Sequence, residues 1–205
     1  MWQRIVQWLV CVVFSGVFIL ACAGTKLTHT WVDETYHGKP VSDILVIGIT
    51  HKEKNRQSFE DKFVAKLKAA GVDAVSSSDV IPIPADMELK KEEILKAVNK
   101  FENDAVIITH LVGVEEKESY TPVERNQGDY FGHYGWAYGY THEPGYYRTH
   151  TLVRLATHLY DVKTEKLIWS TESESLDPGS TNQIIDDVIE VLIQDLQKNK
   201  LLPTK

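Results

Sequence analysis

ILVIGI, residues 44–49, is an unbroken apolar run dominated by β-branched side chains. A strand with one wet face alternates apolar and polar residues, whereas a strand covered on both faces reads as a continuous run. The run therefore predicts a central strand with a layer above it and another below. The residues that follow supply the layers. Phe59, Phe63, Leu67 and Ala70 recur at helical spacing, Ser58 and Asp61 fit a capping pair, and Gly71 stands where a helix would stop. Residues 73–77 (DAVSS) read as a short second strand, Leu95, Val98 and Phe101 mark a helix over 88–100, and residues 104–114 (DAVIITHLVGV) read as a third strand. Two strand-helix-strand units in series imply parallel pairing with right-handed crossovers.

Further along, the pattern changes. Residues 149–162 place Val153, Leu155 and Leu159 on one side and His150, Arg154 and His158 on the other, as a strand with one wet face does. Lys163-Thr164-Glu165 turns the chain, and residues 166–173 return as an antiparallel partner. After the loop at 177–180, Ser180 or Thr181 can cap a helix over 182–198, whose apolar face carries Ile184, Ile185, Val188, Val191, Leu192 and Leu196. The predicted order is β-α-β-α-β-β-β-α. It defines one mixed α/β (α+β) domain over 41–202, a single mixed sheet with packed helices and a long aromatic insert between strands 3 and 4.

The first residues have a different composition. Arg4 precedes an almost wholly apolar run, 5–20, which ends at Ala21-Cys22-Ala23-Gly24. A charged start, an apolar stretch and small residues at the junction describe a secretory signal peptide over 1–21. Ile19-Leu20-Ala21-Cys22 resembles the bacterial lipobox, which implies cleavage before Cys22 and acylation of its sulfur. The alternative is an uncleaved membrane helix. Cys11 leaves with the signal peptide, so Cys22 is the single cysteine kept and no disulfide forms. Two or more acyl chains hold a protein to a membrane without a spanning helix. Residues 22–40 are expected to be the acylated cysteine and its tether. Ala23 stands where Asp signals inner-membrane retention in enteric-type bacteria; the resemblance thus implies a periplasm-facing outer-membrane lipoprotein.

With 205 residues, 43% apolar and 25% charged, the chain can build an ordinary core, and its net charge of −7 excludes a broad nucleic-acid footprint. The insert, 119–148, is the part that departs from ordinary usage. From 130 to 140, Tyr130, Tyr134, Trp136, Tyr138 and Tyr140 fall on even positions and mostly small residues on odd ones, a period of two that fits a strand extension with rings on one face. Such a face suits a protein partner, a sugar ring or the membrane interface. These five residues are the candidate binding residues. His133, His142 and His150 are spaced nine and eight apart, unlike the close ligand pairs of zinc sites, and no metal or cofactor is expected. His110 is expected to be a hydrogen-bonded core histidine and His158 to lie on the exposed strand face. No nucleophile, phosphate-loop or metalloprotease motif is present, and the acidic pairs Glu115-Glu116 and Asp186-Asp187 read as solvated surface. No catalytic residue is assigned.

The hairpin Leu159-Tyr160-Asp161, Thr164, Lys166-Leu167-Ile168-Trp169-Ser170, the Asp-Pro after it, the amphipathic last helix and the Tyr/Gly segment together resemble a group of uncharacterised bacterial envelope lipoproteins. The element order is similar to the N-terminal domain of the Tol-Pal translocation protein, the lipoprotein activators of peptidoglycan synthases and the curli-secretion lipoprotein. The resemblance implies a non-catalytic interaction or assembly role with an envelope protein as partner. Peptidoglycan binding through the aromatic insert is the alternative.

Overall fold

The computed structural model describes residues 24–82, 88–121, 129–142 and 146–203. In chain order the elements are β1 (Thr25–Val32), β2 (Asp43–Ile49), α1 (Glu53–Ala69), β3 (Asp73–Ser76), the single turn α2 (Ser77–Val80), α3 (Lys91–Phe101), β4 (Ala105–Thr121), α4 (Tyr130–His142), β5 (Tyr146–Asp161), β6 (Lys166–Leu176) and α5 (Thr181–Lys198). All six strands form one mixed sheet in the order β1-β6-β5-β4-β2-β3. β2 pairs in parallel with β3 and β4, while β4-β5, β5-β6 and β6-β1 are antiparallel. The chain is thus a mixed α/β protein, as its sequence predicts.

Residues 44–48 of the apolar run lie inside the sheet and are covered on both faces, while Ile49 at its end is exposed. Ile44 and Val46 enter the larger core with Phe59, Phe63 and Leu67 of α1 and Ile185, Val188, Ile189, Leu192 and Leu196 of α5. Leu45 and Ile47 enter a smaller core on the other face with Ala97 and Val98 of α3. The apolar face of α5 repeats every three or four residues, which is the spacing that holds a helix flat on a sheet. Ser180 caps that helix, accepting from the Gln183 amide at 3.1 Å. Trp169 of β6 is fully buried beneath α5, and its indole Nε1–H donates to Asp195 at 2.9 Å.

Three expectations are corrected. Thr25–Val32, assigned from sequence to the tether, forms edge strand β1, with the Thr25 and Ser175 hydroxyls 2.7 Å apart in a buried contact. A register shift between Thr28 and Trp31, with His29 at φ 53°, kinks this edge. A bulge of that kind makes an edge a poor template for further strands. Helix α1 begins at Glu53 with Lys52 as its N-cap residue, more than a turn and a half before the Ser58/Asp61 capping pair predicted for it, because Arg56 extends its buried stripe. Third, the insert is smaller than 119–148 and contains a helix.

Candidate functional site

Strands β4 and β5 pair from Ala105 opposite Asp161 to Thr121 opposite Tyr146. Their neighbours stop earlier: β2 ends at Ile49 opposite His110, and β6 at Leu176 opposite Leu152. Residues 116–121 and 146–151 therefore continue as a two-stranded ribbon beyond the rest of the sheet, for roughly 17 Å at strand rise. The ribbon is fastened at its base. His150 Nδ1 lies 2.5 Å from Asp177 Oδ2 and its Nε2 lies 2.8 Å from the Ser119 hydroxyl, while the Thr151 amide donates to Asp177 Oδ1 at 2.8 Å. The His150 contact, then the Thr151 amide, holds the Asp177 carboxyl below its ordinary range.

Between the two strands of the ribbon lies α4, which carries the residues singled out in the sequence. Asp129 starts the helix: its side chain accepts from the Gly132 amide at 2.6 Å and its carbonyl from the His133 amide at 2.9 Å. The period-two reading of this stretch is thereby overturned. Residues four apart share a helix face, and residues two apart lie about 200° apart around it. Tyr130, Tyr134 and Tyr138 form one stripe, with Tyr134 and Tyr138 stacked at 6.1 Å between ring centroids. Tyr130 also packs against Phe131 at 4.3 Å. Trp136 points away from that stripe and lies 5.6 Å from the His133 ring. Tyr140 is in the last turn of the helix. Tyr130, Phe131, Tyr134 and Tyr138 are exposed, so the helix presents ring surface to solvent. Cys22, the residue predicted to be acylated, lies outside the described residues.

The histidines are distributed otherwise than expected. His110 is half-buried and stacks on His158 at 5.9 Å, and His158 is half-buried too, 6.4 Å from Tyr160. Burial, then the neighbouring His110, holds His158 below the ordinary imidazole value, while Glu172 opposes the shift. Among the described residues no group of three His, Cys, Asp or Glu side chains is arranged to hold a metal ion.

Sequence reasoning missed a feature at the carboxyl end of β2. Two cavities flank it, one on each face of the sheet, of about 290 Å³ and 830 Å³. The smaller is lined mainly by apolar side chains, among them Phe59, Ile184 and Ile185, with exposed Ile49, Leu111 and Val114 also bordering it and Thr50, Asn55, Thr109 and Thr181 among its polar walls. Arg56 borders both cavities, yet it is buried and held by Glu60 and Ser77. The signal in the sequence was an Arg-Glu pair at i and i+4, which on most helices is a solvent-facing pair.

The fold and this end of the sheet define a mixed α/β domain bearing an aromatic helix on a β-ribbon. No family model matches the sequence, and no curated protein matches it. Among solved structures the chain is similar to the PelC dodecamer from Paraburkholderia phytofirmans, at 12% identity and a TM-score of 0.47 over 88% of this chain and 99% of that one. It is also similar to lipoprotein GNA1162 from Neisseria meningitidis, at 15% identity and a TM-score of 0.40 over 77% and 99% of the two chains. A third similar structure is a putative neuraminyllactose-binding hemagglutinin homolog from Helicobacter pylori, at 12% identity and a TM-score of 0.33 over 79% and 86%. No helix among the described residues is long and apolar enough to cross a membrane.

Proposed function

We propose that this chain is an envelope lipoprotein, anchored through acylated Cys22 and facing the periplasm from the outer membrane, whose α/β body holds an aromatic helix out for a protein partner. The observation that carries the reading is the ribbon: β4 and β5 outrun their neighbours and bear a helix with exposed Tyr130, Phe131, Tyr134 and Tyr138. Large exposed rings are costly to leave in water and are characteristic of contact surfaces. A body with two cores and a ribbon pinned by His150 and Asp177 makes a firm base for such a contact. The acylation half of the reading rests on the Ile-Leu-Ala-Cys junction. Its role is that of an assembly module rather than an enzyme.

A photo-crosslinking amino acid at Tyr134, expressed in cells, tests the contact. It is expected to give a discrete adduct that the same probe at Lys163 does not; equal or absent adducts at the two positions reject the reading. Peptidoglycan is the second reading, favoured by the exposed Tyr134–Tyr138 ring pair. Cosedimentation with purified sacculi that is lost in Tyr134→Ala supports it over the protein partner.

A further inference from the structure

Two chambers meet at the carboxyl end of β2. The cavities of about 290 Å³ and 830 Å³ share Gly48, Ile49, Thr50, Arg56, His110 and Leu111, so they adjoin around the end of the strand. The connections out of the parallel pair account for the opening. β2 leads into α1 on one face and β3 toward α3 on the other, and a divergence of that kind at the carboxyl ends of parallel strands leaves a crevice suited to a ligand. The smaller chamber, between α1, α5 and the sheet, draws most of its wall from apolar side chains such as Phe59, Leu155 and Ile184. The larger has His51, Glu88 and His110 on its border. An apolar chamber that adjoins a more polar one fits an amphipathic molecule.

Arg56 stands where the two meet, and it is only 2% exposed. Its Nε–H donates to Glu60 at 3.1 Å and its Nη2 to Ser77 at 2.9 Å, while Nη1 makes no hydrogen bond among the described residues. Nη1 is not one of the polar atoms shut away from solvent either, so it opens on the chambers. A guanidinium carries five N–H donors, and those on Nη1 call for an acceptor. Glu60 already supplies the negative charge opposite Arg56. A second carboxylate here would be buried beside Glu60 without a cation of its own, so the fitting acceptor is an uncharged oxygen. Volume sets the length of the apolar part: about 290 Å³ holds about ten groups the size of a water or a methylene, at roughly 30 Å³ each.

We propose that these chambers bind a single-chain acyl ester. Its chain of about ten carbons lies among Phe59, Leu155 and Ile184, its ester carbonyl accepts from Arg56 Nη1, and a small hydroxylated head occupies the larger chamber beside His51 and His110. The site is independent of acylation at Cys22.

The test uses the full-length protein in membranes of cells that express it. The probe is 1-decanoylglycerol carrying a photoreactive diazirine near the end of its chain, and adducts are mapped by mass spectrometry of the digested protein. Saturable adducts at Phe59, Leu155 or Ile184 are expected, displaced by plain 1-decanoylglycerol at a several-fold lower concentration than by decanoate. Adducts that neither competitor displaces, or that fall outside the chambers, overturn the proposal, and equal displacement by ester and acid overturns the uncharged head group. Ile184→Trp fills the smaller chamber and should abolish the adducts; labelling as strong as in the wild type, in a variant that keeps its unfolding midpoint, overturns the site. Arg56→Lys keeps a positive charge opposite Glu60 but loses the planar fork. It should weaken labelling by the ester about tenfold and leave labelling by a diazirine hydrocarbon of the same length unchanged. An equal fall for both probes overturns the contact between Arg56 and the carbonyl.

Discussion

The Glu60 carboxylate accepts a hydrogen bond from the Gly48 backbone amide at 2.8 Å, with Glu60 wholly out of water. The same carboxylate takes the Arg56 Nε–H at 3.1 Å, the Ser77 hydroxyl at 2.7 Å, the Ser76 hydroxyl at 3.0 Å, and both the amide and the hydroxyl of Ser78. One side chain of α1 thereby joins the end of β2, the end of β3 and the turn α2. Gly48 has no side chain for a reason of space as well, since a Cβ there would meet the Phe59 ring at 3.3 Å. Removing one member of a buried ion pair strands the other charge and typically costs about 3–5 kcal/mol. Glu60→Ala is therefore expected to lose that much stability in urea unfolding, and Glu60→Gln, which keeps the shape and part of the bonding, distinctly less. Equal losses in the two variants contradict a role for the charge.

Little of this network was legible in the sequence, because its burial comes from Ser76, Ser77 and Ser78, contributed by a segment beyond the end of α1. The central strand was legible for the opposite reason: residues 44–48 carry the evidence of their two-sided burial in their own composition. The last helix was read to within one residue at its start, and of the two caps the sequence offers, Ser180 and Thr181, the structure takes Ser180, a signal that is local. Strand β1 was not, since TKLTHTWV lies at an edge and buries only Thr25 fully; its place is fixed by pairing with β6, more than a hundred residues away. In α4 the rings recur at intervals of both two and four, so the same residues satisfy a strand pattern and a helix pattern. Asp129, the residue that starts the helix, was the local clue that decides for helix.

His158 gives the fold a dependence on pH. Burial and His110 depress its pKa below the ordinary value of about 6.5. Between the depressed value and 6.5 or so, the unfolded chain binds more protons than the folded one, so stability falls as pH drops through that window and levels off below it. His158→Gln is expected to lose part of that acid sensitivity. Denaturation midpoints measured in steps from neutral pH downward should decline in parallel for wild type and variant if His158 is not responsible, and otherwise show a smaller decline in the variant.

The ribbon base offers a separate handle. Asp177 receives both the His150 ring and the Thr151 amide, and its carboxyl is held below its ordinary range by them. Its stabilising contribution is present above the carboxylate range and is lost as pH falls through the depressed value. Asp177→Ala leaves the core untouched, so global unfolding should barely change. Hydrogen exchange at the Thr151 amide and its neighbours in the ribbon should instead accelerate; unchanged protection there would mean the strand pairing alone fixes the ribbon.

Gly135 lies mid-helix in α4, and a Cβ built on it meets no atom within 4 Å. Glycine inside a helix costs about 0.5–1 kcal/mol relative to alanine. Gly135→Ala is thus expected to slow amide exchange within α4 without altering the rest of the protein. If the same substitution reduces the crosslink from Tyr134, the open backbone at 135 is part of the contact surface; if it strengthens it, ordering of the helix limits the contact.

The geometry of α4 also separates the tyrosines from the tryptophan. A strand would have placed Tyr134, Trp136 and Tyr138 side by side, whereas the helix sets Tyr134 and Tyr138 together at 6.1 Å and turns Trp136 toward His133. A partner that docks on the tyrosine stripe loses ring contact with Tyr134→Ala and Tyr138→Ala alike, and truncating an aromatic anchor at the centre of an interface costs about 2 kcal/mol or more. Because the two rings touch, their losses should not add in the double variant, as neighbouring residues that share a contact are coupled. Trp136→Ala should leave the contact nearly intact. Once a partner is isolated by crosslinking, titration of the four variants against it distinguishes the cases: a large loss from Trp136→Ala with little from the tyrosines would place the contact on the other side of the helix, with His133.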